Sequence, residues 1–197
     1  MKLVILGIQG SGKGTQSKLI SEYYKLKHIS TGDLIRDEIK RGNQDIKKYS
    51  DQGLLVPDGI VNKLLEKHIP KDNWLLDGYP RNLEQAKLLE KFGVDKVIFL
   101  KLSTSEVISR LANRFYCKIC KEAYGLNNMP VKLGVCNLCG GNLGQRDDDK
   151  IGAIKARIEV FKKETLPLLD FYKDKEMIIK ANQSVEKVFE DVKKELG

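Results

Sequence analysis

The stretch KLVILGIQGSGKGT at residues 2–15 decides the fold of this 197-residue chain. Its first part, Lys2 to Leu6, is a short apolar run rich in branched residues, which is typical of a buried strand. Glycines end that run, and Lys13 to Tyr24 follow with helical spacing. A strand, a glycine turn and a helix in this order predict an α/β protein.

Three further apolar runs predict more strands of the same sheet. They lie at Trp74 to Leu76, Val97 to Leu102 and Met177 to Ile179, with mainly helical patterns between them. Strands that alternate with helices indicate a parallel sheet covered by helices on both faces.

Two stretches interrupt this alternation and predict inserted lobes. Residues 30–58 are polar and helical in pattern and contain no credible strand. In residues 115–149 the helical pattern stops, glycine and asparagine become frequent, and all four cysteines of the chain occur.

Composition limits the class of protein. Lys and Arg number 35 against 27 Asp and Glu, a net charge of +8, and 41% of residues are hydrophobic. That mixture favours a packed globule over a disordered chain, and the positive balance favours an anionic partner. A membrane-spanning helix needs about 20 apolar residues and a secretion signal about 7 to 15, and neither pattern is present. We therefore expect a cytoplasmic protein that does not bind membranes.

The glycine turn has the spacing of a phosphate-binding loop. Gly7, Gly12 and Lys13 fit the Walker A pattern, although Gly14 stands where Ser or Thr usually follows the lysine. Backbone N–H groups of such a loop surround a phosphate, and the lysine reaches the outer phosphates. A tight strand-to-helix connection is the alternative. The predicted nucleotide-binding residues here are Gly10, Ser11, Gly12, Lys13, Gly14 and Thr15.

An acidic residue ends the second apolar run. Asp77 at the carboxyl end of a buried strand fits the role of holding Mg²⁺ beside the loop, together with Thr15. By itself, Asp77 before Gly78 would be an ordinary turn residue. The phosphate loop makes the metal role the better hypothesis.

The four cysteines form two CxxC pairs separated by 15 residues: Cys117, Cys120, Cys136 and Cys139. This spacing is typical of a structural zinc site with four thiolate ligands. Disulfides are the alternative, but nothing indicates an oxidising compartment.

Five separated motifs occur in the order seen in the adenylate kinases of the long-lid type, which the chain resembles over essentially its whole length. They are GIQGSGKGTQ at 7–16, ISTGDLIR at 29–36, LLDGYPR at 75–81, the CxxC pairs, and QRDDD at 145–149 followed by Arg157. The resemblance implies transfer of the terminal phosphoryl of MgATP to AMP, giving two ADP. It also implies a five-stranded parallel core (1–29, 59–114 and 150–197), an AMP-binding lobe (30–58) and a zinc-binding lid (115–149).

The resemblance also assigns roles to residues, including six of the seven arginines. Catalytic roles fall on Lys13, Arg81, Arg114, Arg146 and Arg157, and contacts with ATP fall on Arg110 and Arg114. Contacts with AMP fall on Thr31, Arg36, Val56, Gly78, Arg81, Gln85, Arg146 and Arg157. From spacing, Arg110 and Arg114 should share one helix face, and so should Arg81 and Gln85.

Two departures from the family pattern are visible. Ile8-Gln9 replaces the usual Ala-Pro in the loop, and Asn113-Arg114-Phe115 replaces Gly-Arg-Arg near the lid. We expect a monomer whose partners are ATP, AMP and ADP, with Mg²⁺ and structural zinc and no nucleic acid. The rivals are a long-lid kinase with another donor or acceptor and a zinc-ribbon module that binds nucleic acid, which would leave the phosphate loop unexplained.

Overall fold

The computed structural model describes residues 1–125, 128–145 and 151–197. Its main sheet, among these residues, has five strands in the order β2-β3-β1-β4-β8, and every neighbouring pair is parallel. The strands are β1 (Lys2–Gly7), β2 (Lys27–Ser30), β3 (Trp74–Asp77), β4 (Lys96–Lys101) and β8 (Glu176–Lys180). The predicted α/β class and parallel sheet are confirmed.

Alternate side chains of the central strand β1 enter different apolar clusters. Val4 and Leu6 belong to one cluster, and Leu3 and Ile5 belong to another on the opposite face of the sheet. All four are buried, because β1 is a central strand and other apolar side chains pack on both faces of the sheet. A strand buried on both faces reads as a continuous apolar run, which is why the sequence predicts β1 well.

Helices cover both faces, as expected. The first of them are α1 (Lys13–Tyr24), α2 (Thr31–Lys40), α3 (Gln44–Gln52), α4 (Asp58–Glu66) and α5 (Leu83–Leu89). The later ones are α6 (Thr104–Ala112), α7 (Ile151–Val160), α8 (Leu168–Phe171) and α9 (Val185–Leu196). A 3-10 turn (Glu90–Phe92) follows α5, and a π-helical segment (Phe161–Thr165) follows α7. None of the helices in the described ranges is long and apolar enough to cross a membrane.

Strand β2 was not predicted from the apolar pattern. It lies at the edge of the sheet, where Lys27 and His28 are exposed and Ile29 is buried. An edge strand with one buried residue has no apolar run, so the sequence carries little signal for it. The side chain of Ser30 accepts a hydrogen bond from the Asp33 backbone at 3.2 Å and caps α2, which begins directly after the strand.

The two predicted insertions have different structures. Helices α2 and α3 lie within residues 30–58. In the cysteine-containing stretch, β5 (Phe115–Cys117) pairs antiparallel with β6 (Ala123–Tyr124) and β7 (Leu143–Gly144). The exact division of the chain into core and two lobes stays a prediction.

Candidate active site

The phosphate loop joins β1 to α1 with a backbone that glycine alone adopts easily. Gly10 and Gly12 have φ values of +84° and +94°, and the Ser11 N–H donates to the Ile8 carbonyl at 3.1 Å. At Gly7, a Cβ atom would lie 2.8 Å from both Leu100 O and Ser11 Oγ. The loop is therefore packed tightly against β4, with no room for a side chain at its start.

Lys13 lies at the first position of α1 and points back along the loop. Its ammonium donates to Gly7 O at 2.7 Å and Ile8 O at 3.0 Å. Burial lowers the pKa of Lys13 to about 8; the nearby charge of Asp77 opposes this shift, and those of Arg81 and Arg114 add to it. One acidic and three basic groups thus lie close enough to influence one another at this site.

Asp77 ends β3 beside the start of α1. Its side chain is buried, with Oδ2 at 3.8 Å from His28 Nε2. A Cβ on Gly14 would lie 3.8 Å from the same Oδ2, an ordinary van der Waals contact, so the carboxylate lies directly beside the first turn of α1. Thr15 is exposed at the same end of α1. A carboxylate and a hydroxyl near a phosphate loop suit a hydrated Mg²⁺ ion.

A small, partly open pocket lies between α2, α4 and the segment after β3. It is lined by Thr31, Ile35, Leu55, Val56, Val61, Gly78, Arg81 and Gln85. Five of these eight are residues predicted to bind AMP: Thr31, Val56, Gly78, Arg81 and Gln85. The cavity volume is only about 10 Å³, about the space of one water molecule, so a nucleotide base enters only if the pocket widens.

Gly78 brings the polar part of this pocket together. With φ at +81°, its backbone turns sharply after Asp77, and a Cβ there would lie 2.8 Å from Thr31 Oγ1 and 3.5 Å from Arg81 Nη2. The Thr31 hydroxyl donates to Asp77 O at 3.2 Å, and Arg81 Nε donates to Gly78 O at 2.9 Å. Any larger residue at position 78 would displace the threonine.

Gln85 is buried in the pocket wall, where its amide joins two parts of the chain. Its Oε1 accepts from the Arg81 backbone N–H at 2.8 Å, and its Nε2 donates to Asp58 Oδ1 at 2.6 Å. The expectation that Arg81 and Gln85 share a helix face is wrong, since α5 begins at Leu83 with Asn82 as its cap. The two residues meet through a backbone hydrogen bond instead.

Arg36 lies outside the pocket that five of the predicted AMP contacts line. Its Nη2 donates to Asp33 Oδ1 at 2.6 Å, one turn earlier on α2. Both side chains are partly exposed, and Arg36 is not among the residues that line the pocket. To reach a phosphate in the pocket, Arg36 would have to leave Asp33.

The remaining arginines with predicted roles lie on or near helices α6 and α7, apart from one that the structure does not describe. Arg110 on α6 donates to Ala181 O at 2.8 Å. Arg114 lies beyond the end of α6, which Asn113 caps, so the expectation that it shares a helix face with Arg110 is wrong. Arg157 on α7 donates to Gln9 Oε1 at 2.7 Å and to Ser50 O at 3.4 Å. Arg146 lies outside the described residues.

The four cysteine sulfurs cluster beside the three-stranded sheet of β5, β6 and β7, with Cys117 at the end of β5. They all lie within 4.8 Å of one another, with Cys117 Sγ to Cys139 Sγ at 3.4 Å and Cys120 Sγ to Cys136 Sγ at 3.5 Å. All four are free thiols. Sulfurs bound to one zinc ion at about 2.3 Å would lie about 3.8 Å apart, so the cluster has the size of a tetrahedral site.

Neighbouring groups favour the ionised form of one of these thiols. The Tyr124 hydroxyl lies 3.3 Å from Cys136 Sγ and accepts the Asn137 N–H at 2.8 Å. Its hydrogen bond to the sulfur lowers the pKa of Cys136 to about 6. A thiolate is the form that binds zinc.

Two residues of the site were not predicted from the sequence. Asp58 follows Pro57 at the start of α4, where an acidic residue has the ordinary explanation of stabilising the helix terminus. Gln9 was noted only as a departure from the family pattern, and its contact with Arg157 spans 148 positions of sequence. No local pattern reveals either partner.

Comparison with known proteins gives a consistent result. Residues 5–177 match the family model described as adenylate kinase. Proteins named adenylate kinase from Caldanaerobacter subterraneus and Clostridioides difficile are 40% and 41% identical to this chain, aligned over all of it and over 96% and 99% of their own lengths. One from a Geobacillus species is 43% identical, with 100% of this chain and 99% of the relative covered.

Proposed function

This chain belongs to the adenylate kinase family, and from that premise we propose that it transfers the terminal phosphoryl group of MgATP to AMP, forming two ADP. The observation that carries the proposal is the grouping of Lys13, Asp77, Arg81 and Arg114 at the carboxyl ends of β1 and β3, beside the small pocket. Ligands of open α/β sheets bind at this end of the strands.

In the proposed reaction, an oxygen of the AMP phosphate attacks the γ-phosphorus of ATP. The new bond forms as the bond from that phosphorus to the bridging oxygen of ADP breaks, and the bonding electrons leave with ADP. Negative charge spreads over the transferring group, so the protein acts by alignment and by cationic stabilisation. Lys13 stabilises the donor side, while Arg81 and Arg36 hold the acceptor phosphate and Arg114, Arg146 and Arg157 approach the transferring group.

Mg²⁺ bound with ATP would supply additional charge neutralisation, and Asp77 and Thr15 would hold it. The buried carboxylate of Asp77 beside the start of α1 supports this assignment. Gly10, Ser11, Gly12 and Gly14 would contact the phosphates of ATP, the glycines through their backbone N–H groups, and Arg110 would lie against its base.

Structural zinc is our proposal for the cysteine cluster. The distances between the four sulfurs support it. Four thiolates complete a tetrahedron, so an ion there has no open position for substrate. The metal would stabilise residues 115–149 as a lid, while residues 30–58 form the AMP-binding lobe on the remaining core.

A nucleic-acid-binding module has less support than an enzyme. Such a site needs exposed aromatic rings between basic residues. Near the cysteines, Tyr124 is buried and Tyr116 is half-buried with Lys121 Nζ 5.9 Å from its ring centre.

We propose that the enzyme acts as a cytoplasmic monomer on ATP, AMP and ADP, without nucleic acid or membrane.

A panel of nucleoside monophosphates tests the activity directly. With saturating MgATP, we expect the highest kcat/KM for AMP among AMP, GMP, CMP and UMP, measured in a coupled assay for ADP. Gln85→Ala should lower kcat/KM for AMP by about 10- to 100-fold, because one bidentate contact with the base is lost. Leu88→Ala on the exposed face of the same helix is the control and should have little effect. Equal efficiency with GMP or UMP would contradict the assignment to AMP.

The pKa of Lys13 predicts how activity depends on pH. The ammonium form binds phosphate, and the free enzyme loses it as the pH rises through about 8. We therefore expect kcat/KM for MgATP to fall about tenfold per pH unit above that value. In Lys13→Arg the guanidinium stays charged at every accessible pH. Its kcat/KM for MgATP should therefore not fall above about pH 8, even if the activity of the variant is lower overall. The same fall in the arginine variant would exclude Lys13 as its cause.

A further inference from the structure

The amide of Gln85 has a defined direction in the structure. Its oxygen faces a group that can only donate, the Arg81 backbone N–H, at 2.8 Å. Its nitrogen faces a group that, when ionised, can only accept, the Asp58 carboxylate, at 2.6 Å. Turning the amide over would put its NH₂ against an N–H and its oxygen against a carboxylate, so both hydrogen bonds would become repulsive contacts.

Asp58 is held in turn by Asn82. The Asn82 Nδ2 donates to both carboxylate oxygens of Asp58, at 3.0 Å and 3.2 Å. The Asn82 Oδ1 accepts the Gln85 backbone N–H at 2.9 Å and caps α5, so the Asn82 amide is fixed as well. The side-chain amides of Asn82 and Gln85 are therefore each held in one orientation by these hydrogen bonds.

This arrangement leaves Gln85 able to bind one more partner on each atom. An amide carries two protons and two lone pairs, and the contacts with Asp58 and Arg81 use one of each. Because Gln85 lines the pocket, the remaining lone pair on Oε1 and the remaining proton on Nε2 are the groups it can offer to a ligand.

We propose that Asp58 is a positioning residue that fixes the direction of the Gln85 amide and so selects a 6-amino purine over a 6-oxo purine as the acceptor base. The inference rests on the proposed function and adds the residue that sets its specificity. Adenine presents a donor at N6 beside an acceptor at N1, whereas a 6-oxo purine presents an acceptor beside a donor. A fixed amide pairs with one of these edges, while a freely turning amide pairs with both.

AMP and IMP are the matched probes for this idea, because their bases are nearly the same size and differ in the polarity of this edge. We expect the native chain to favour AMP strongly over IMP in kcat/KM. Asp58→Asn keeps the size of the side chain but offers both a donor and an acceptor, so only the Arg81 N–H still favours the native direction of the Gln85 amide. The ratio of kcat/KM for AMP to that for IMP should fall by about tenfold or more, the value of one oriented pair of hydrogen bonds.

A loss of stability alone would lower kcat/KM for AMP and for IMP by the same factor, so their ratio would not change. An unchanged ratio would overturn the proposal. Asp45→Asn is the control, since Asp45 is also in the first turn of a helix and its carboxylate is exposed. We expect this control to keep the native ratio. If IMP is not phosphorylated measurably, its inhibition constant against AMP gives the same comparison.

Should Asp58→Asn unfold at the assay temperature, Asp58→Ser provides a second test with a hydroxyl that donates and accepts. The native chain is assayed first with MgATP and AMP. Absence of ADP formation there would contradict the proposed function, whereas an active native chain with an unchanged ratio in an active variant would contradict the role of Asp58.

Discussion

Lys13→Met should lower kcat by a factor of about 100 to 1,000, the cost of losing one cationic contact in the transition state, or about 3 to 4 kcal/mol. The ammonium reaches back over the loop and donates to Gly7 O and Ile8 O. In the proposed reaction it contacts the outer phosphates of ATP instead. Methionine keeps the length of the side chain without the charge. Stopped-flow or coupled measurement of ADP formation at saturating MgATP and AMP gives kcat directly.

Two comparisons separate this effect from a change in folding. Lys40→Met removes an exposed lysine that pairs only with Asp37 one turn away among the contacts described, and its activity should stay near the native value. The melting temperature of Lys13→Met should change by a few degrees at most, because position 13 is only half-buried and methionine keeps the apolar stem of the lysine. Turnover within threefold of the native chain would refute a catalytic role for Lys13.

The second large effect concerns the cysteine cluster. Cys136→Ser should abolish stoichiometric zinc binding and lower the melting temperature by more than about 5 °C, because folding of the lid is coupled to the metal. Activity at low temperature should fall much less than in Lys13→Met, since four thiolates leave the ion no position for substrate. Elemental analysis and calorimetry measure the two quantities.

Leu138→Ser is the matched control for this variant. Leu138 lies between two of the cysteines, is mostly exposed and supplies no ligand atom, so its replacement should preserve both the metal and the melting temperature. A native protein that is purified gently and contains neither zinc, iron nor a related metal would contradict the proposal. An equally large fall in activity as in Lys13→Met, at a temperature at which the Cys136→Ser lid is still folded, would contradict a purely structural role for the metal.

Some features of this protein were determined by short stretches of sequence. The strand, loop and helix of residues 2–24 could be predicted because each depends on neighbours a few positions apart, and the structure has β1 at Lys2–Gly7 and α1 at Lys13–Tyr24. The position of Asp77 at the end of β3 follows from the apolar run before it. The two CxxC pairs likewise predicted a cluster of four sulfurs, which the structure brings within 4.8 Å of one another.

Other features depended on which distant segments pack together. Strand β2 exists because β3 supplies its hydrogen-bonding partner, although its own residues have no apolar pattern. Helical spacing placed Arg114 on α6, but that helix ends at Ala112, and spacing cannot show where a helix stops. The contacts of Gln85 with Asp58 and of Arg157 with Gln9 cross 27 and 148 positions of sequence. Local sequence sets the elements and the chemistry each one carries, whereas the direction of a side chain at the site is set by partners that only tertiary packing brings within hydrogen-bonding distance.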